Sequence, residues 1–127
     1  MTKLQTYQVG LPRKRGEGLR IGVMRYWPRG VKKKEAARLH FDVWLPLLAP
    51  SRQLIQWYRA NPTDERWQEF AKRYQREMQN DANSRQAIQL LARLAKQTPI
   101  SVGCSCKDEK RCHRSILQKL IEQAAKG

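Results

Sequence analysis

The residues with the most chemistry to offer stand together in the run ISVGCSCKDEKRCHRSIL, from Ile100 to Leu117. It contains all three cysteines of the chain, Cys104, Cys106 and Cys112, and then His113 and Arg114. Lys107, Lys110, Arg111 and Arg114 surround the thiols with positive charge, which favours thiolate over thiol. Three chemistries suit these residue types. In the first, a helix N-terminus and Arg114 form an anion pocket for a phosphate or carboxylate. In the second, Cys106 or Cys112 is a nucleophile activated by His113, which makes these three the candidate catalytic residues. The third is a zinc-binding thiol site, because three Cys and one His can supply four tetrahedral ligands.

Spacing opposes the full zinc set. Adjacent helical side chains such as Cys112 and His113 point about 100° apart. The Cys-x-Cys pair is also shorter than the commoner two-residue gap. No metal ligands are therefore assigned. A phosphatase-type loop, Cys then five residues then Arg, is excluded by counting. From Cys104 the count reaches Lys110, and from Cys106 it reaches Cys112. The plain alternative is three small buried residues at a strand end, with His113 as a capping or surface group. The other histidine, His40, lies beside Phe41 and Trp44 and reads as a surface or packing residue.

The elements that position this segment can be read from period and punctuation. Ile100, Val102 and Cys104 alternate as a strand after the stop at Thr98-Pro99. Alternation puts Cys104 and Cys106 on one strand face, with Cα atoms roughly 6.6 Å apart if the chain stays extended. A helix from about Arg111 to Ala125 follows, burying Ile116, Leu117, Leu120 and Ile121. Ligands of open α/β sheets bind at such strand-to-helix junctions. Earlier, residues 3–9 alternate weakly as a short strand, and Gly10 to Gly18 form a flexible loop. Residues 19–26 are a second strand, with Leu19, Ile21 and Val23 on one face and Arg20, Gly22 and Met24 on the other. It ends in a turn at Trp27-Pro28-Arg29-Gly30. Ser51 caps a short helix, and Asn61-Pro62 is the start signal of the next. Trp67, Phe70, Tyr74 and Met78 then recur at helical spacing, a stripe expected to enter the core. Residues 84–97 repeat that pattern with Ala87, Ile88, Leu91, Leu94 and Ala95.

The chain has 127 residues with 26 Lys or Arg against 11 Asp or Glu, a formal charge of +15. The length suits a single domain over residues 1–127, and a hydrophobic fraction of 40% suffices for a core. No apolar run reaches the length of a membrane span, so no membrane partner is expected. Three clustered cysteines suit a reducing, cytoplasmic setting better than a disulfide framework. The charge is uneven, at net +9 over residues 1–40, +1 over 41–80 and +5 over 81–127. The runs Arg13–Arg15 and Lys32–Lys34 make a field that attracts polyanions, so nucleic acid or a phosphorylated small molecule is the expected partner. The residues specify no cofactor and no oligomeric state.

Several segments together resemble the domain of unknown function family 488, the YeaO-like proteins. These are RYWPRG at 25–30, WLPLLAPS at 44–51, Trp57-Tyr58, RWQEFAKRYQREM at 66–78 and CSCKDEKRCHRS at 104–115. The resemblance implies a small α/β domain of bacterial or archaeal type and leaves the reaction to the residues. The family pattern typically carries an Asp where this chain has Met24, and a Lys where it has Pro46. Its Cys-His-Arg motif is complete at Cys112, His113 and Arg114. The expected fold is therefore α/β, a small, mainly parallel sheet flanked by helices with a helix-rich second half. Parallel strands ending at Arg25 and at Cys104 would bring Arg25, Arg29, Arg111 and Arg114 together as an anion-binding cleft.

Overall fold

A computed structural model describes residues 3–127 of the chain. Its centre is the strand that the alternation at Ile100 predicts. This strand and the three parallel to it are β1 (Leu4–Gln8), β2 (Leu19–Gly22), β3 (Val43–Trp44) and β4 (Ile100–Cys104), ordered β1-β4-β2-β3. β4 is buried along its whole length, as a central parallel strand covered on both faces must be. Its register sets Cys104 beside Gln8 of β1, and Gly103 beside Gly22 of β2. At Gly103 only a glycine fits, because a Cβ would lie 2.3 Å from the Tyr7 ring.

Five α-helices follow the same order, α1 (Ala36–Leu39), α2 (Arg52–Ala60), α3 (Asp64–Asn80), α4 (Ala82–Gln97) and α5 (His113–Lys126). The α3 stripe buries Phe70, Tyr74 and Met78 against Ile21, Val23, Ile100, Val102 and Leu117 in the main core. A smaller cluster has Tyr7, Met24, Ala36, Phe41, Cys104 and Cys112, so two of the thiols belong to packed structure. Among the described residues, no helix is long and apolar enough to cross a membrane.

Two of the boundaries that differ from those the sequence predicts have a clear physical cause. The second strand stops at Gly22, four residues before Tyr26. The Val23 carbonyl accepts from His113 Nε2 at 2.7 Å, and the Arg25 side chain turns to the carbonyls of Ala49 and Pro50. Side chains of the site thus take over where strand pairing ends. The third helix starts at Asp64 with Thr63 as its cap, whose Oγ1 accepts from the Arg66 amide at 3.1 Å. Asn61 instead closes α2. Asp64 and Glu65 in the first turn suit the positive end of the helix, which favours the later start.

Part of the basic first third is structural. Arg20 is fully buried and pairs with Glu17, Nε to Oε1 at 2.8 Å and Nη2 to Oε2 at 3.2 Å. Its remaining N–H groups donate to the carbonyls of Leu11, Leu39 and Pro12, while the guanidinium lies 4.3 Å from the Tyr7 ring centroid. The Tyr7 hydroxyl donates to the His40 carbonyl, so the His40 segment is held by packing.

Arg13 is bound as well, donating from Nη2 to Asp42 Oδ1 at 2.6 Å. Burial pushes the Asp42 carboxyl up. The hydrogen bonds from Arg13 and the Arg20 amide, with both guanidinium charges, outweigh that and leave it below its ordinary value. A carboxylate lowered in the folded state stabilises above the ordinary carboxylate range and loses that contribution on acidification through its folded value. Arg13→Ala should therefore cost a modest amount near neutral pH, within about 1 kcal/mol for so exposed a pair. Urea unfolding at a series of pH values should show that penalty vanish once Asp42 is protonated.

Candidate functional site

Three separate pieces of backbone deliver the three thiols. β4 ends at Cys104, the loop beyond it carries Cys106, and Cys112 is the residue on which α5 starts. Between them, Asp108 caps a 3-10 turn at Glu109–Arg111 by accepting from the Lys110 amide at 3.0 Å. The turn folds the charged loop back over the strand end. All three Sγ atoms consequently lie within 4.8 Å of one another, with Cys104 and Cys106 3.9 Å apart. Cys104 and Cys112 are buried and Cys106 is exposed. Hydrogen bonds from Cys104 and then Cys112 pull the Cys106 thiol well below its ordinary value, against the opposing effect of burial. Contacts with Cys104 and then Cys106, together with burial, push Cys112 up.

His113 occupies the first turn of α5 and is buried. A carbonyl can only accept, so the bond to Val23 puts the proton on Nε2 and leaves Nδ1 bare. Nδ1 faces Cys112 Sγ at 3.9 Å. Burial dominates the ring's titration and pushes it down to about 4, so His113 is neutral at pH 7. Its ring meets Tyr74 edge-on at 5.4 Å, and Tyr74 donates to the Leu48 carbonyl at 2.6 Å.

The four arginines expected to bind an anion have different surroundings. Arg114 is buried beneath the thiol loop, where Nη1 donates to the carbonyls of Cys106 at 2.6 Å and Cys104 at 3.3 Å. Arg25 holds the Ala49-Pro50 segment at 3.1 Å to each carbonyl. Arg111 pairs with Asp64 at the start of α3. Arg29 is exposed in its turn and does not line the pocket described next.

Beside the thiols lies a pocket of about 320 Å³. Its walls include Tyr26, Trp27, Tyr58, Trp67 and Phe70, and Arg25, Arg59 and Arg111 also line it. Trp67 stacks on Phe70 at 4.9 Å and meets Tyr58 edge-on at 5.6 Å. The N-terminal end of the α3 stripe thus serves the pocket while Tyr74 and Met78 stay in the core. Sequence reasoning missed Arg59, Tyr58 and Tyr26 as site residues. The available signal was that α2 and the turn after β2 lie in motif segments, RYWPRG and Trp57-Tyr58. Met24, which stands where the family pattern has an Asp, is a buried wall residue of the same pocket.

The sequence model described as "DUF488-N3a: Active DUF488-N3 subclade" matches residues 4–125. The chain belongs to the DUF488 family. Among its DUF488 relatives is the uncharacterized protein YeaO of Escherichia coli. The two are 31% identical over 114 residues, 90% of this chain and 92% of YeaO. The uncharacterized protein Rv3073c of Mycobacterium tuberculosis is 31% identical over 105 residues, 83% of this chain and 81% of its own. No solved structure matches this DUF488 chain.

Proposed function

We propose that this DUF488 protein is an enzyme that binds a phosphate-bearing substrate in the aromatic pocket and reacts with it through Cys106. The observation that carries the reading is positional, since Cys106 is the exposed thiol of the three and lines the pocket. The description of the matching subclade as active agrees with a catalytic role. The pocket also stands at the carboxyl end of parallel β4, the usual place for ligands in such sheets.

The chemistry is nucleophilic substitution in two steps. The Cys106 thiolate bonds to an electrophilic atom of the substrate as that atom's bond to its leaving group breaks, the leaving group departing with the bonding pair and taking a proton from water. Hydroxide then displaces the sulfur and restores the thiolate, so one difficult step becomes two easier ones. Neutral His113 fixes Cys112 through its bare Nδ1, and Arg114 holds the backbone that carries Cys104 and Cys106. Tyr26 and Trp27 offer flat apolar surface to a ring, and Arg59 offers charge to a phosphate. A nucleotide, free or within nucleic acid, combines both features. The +15 charge of the chain speeds the approach of any such polyanion.

The test is calorimetric titration with nucleoside monophosphates and the corresponding nucleosides. The monophosphates should bind more tightly, and Arg59→Ala should weaken them about tenfold or more, the loss of one charged hydrogen bond. If no nucleotide binds more tightly than its nucleoside, the substrate class is wrong.

A further inference from the structure

The three thiols also have the geometry of a ligand set. We propose that Cys104, Cys106 and Cys112 form a three-thiolate site for a zinc-class ion, with its fourth coordination position open to the pocket. This goes beyond the substrate reading and does not depend on it.

A zinc ion bound to sulfur at about 2.3 Å in tetrahedral geometry sets its sulfurs about 3.8 Å apart. Cys104 and Cys106 are already at 3.9 Å, and Cys112 lies within 4.8 Å of both. The three sulfurs are thus already within about an ångström of that triangle. The ligands are held from behind, as outer-shell contacts hold known metal centres. Arg114 fixes the carbonyls of Cys104 and Cys106, and α5 begins on Cys112.

His113 is not the fourth ligand. Its Nε2 is committed to Val23 and it stands outside the group of mutually close donor atoms. Three protein ligands and one open position is the arrangement of catalytic rather than purely structural zinc. The donor set also selects the class of ion. Among the described residues no carboxylate lines the pocket, so magnesium and calcium find no charged oxygen ligand, whereas sulfur suits zinc and softer ions. Three thiolates with a divalent ion leave one negative charge, which Arg25 in the pocket lining and Arg114 beneath the loop offset. The exposed Cys106 gives the ion its way in.

The experiment titrates reduced, chelator-treated protein with cobalt(II) and follows sulfur-to-cobalt charge-transfer absorption. Thiols are counted before and after zinc is added. The expected result is saturation at one cobalt per chain, displacement of cobalt by zinc, and loss of the titratable Cys106 thiol in the zinc form. Cys106→Ser, at an exposed position that does not threaten folding, should weaken cobalt binding by more than about 100-fold, beyond the cost of losing an outer-shell partner. Absence of the absorption band, or a Cys106 thiol still reactive in excess zinc, would overturn the proposal. So would unchanged cobalt affinity in Cys106→Ser. Nucleotide binding is measured on the metal-free protein, so either proposal can fail while the other stands.

Discussion

Arg20→Ala is expected to lower the unfolding free energy by about 3–5 kcal/mol, the range for breaking one side of a buried ion pair. Glu17 is 2% exposed and Arg20 fully buried, so the truncation strands a carboxylate without a partner. It also removes the donors that hold the Leu11, Pro12 and Leu39 carbonyls, which tie the 10–18 loop to α1. Arg20→Lys should recover little, because an ammonium cannot reproduce the two-pronged contact with Glu17. Replacing the pair together, as Glu17→Gln with Arg20→Met, should cost less than Arg20→Ala alone. Chemical unfolding of the three variants checks this order. An Arg20→Ala protein as stable as wild type would mean that the buried pair is not formed.

Arg114→Ala should act on the thiol loop. Losing charged hydrogen bonds to the carbonyls of Cys104 and Cys106 is expected to cost about 1.5–3 kcal/mol of stability. It should also release the loop that holds Cys106 beside Cys104 and Cys112. The sequence reading makes Arg114 a ligand-binding arginine, which predicts lost ligand affinity. The structure predicts the reverse emphasis, a destabilised protein in which nucleotide affinity drops less than in Arg59→Ala. Denaturant midpoints and binding constants for the two variants separate these outcomes. If Arg114→Ala keeps full stability but no longer binds nucleotide, Arg114 belongs to the ligand rather than to the loop.

Much of the architecture was legible because it rests on local signals. Alternation at Ile100, Val102 and Cys104 marked the central strand, and the Trp67 to Met78 period marked the core face of α3. The gathering of the chemistry at the β4–α5 junction followed from the same signals. What was hidden depends on contacts distant in the chain. The early end of β2 comes from His113, 90 residues away, bonding to the Val23 carbonyl. β3 has only two residues, too few for any period to show. The arginines were hard to place because charge in a sequence carries no address. Arg13, Arg20, Arg25 and Arg114 count toward the net +15, yet each is engaged with a carboxylate or backbone carbonyls of the fold. Arg59 has no motif of its own and entered the site only when α2 was placed against the pocket.

The central claim, that Cys106 is the reactive thiol of a pocket-lining trio, is tested most directly by site-resolved alkylation. Reduced, metal-free protein is treated with limiting iodoacetamide near neutral pH, and the modified peptides are assigned by mass spectrometry. The account predicts that the label goes to Cys106 while Cys104 and Cys112 stay unmodified, and that Cys106→Ser removes the rapid phase. Slow, even labelling of all three cysteines, or faster labelling of Cys104 or Cys112, would contradict it.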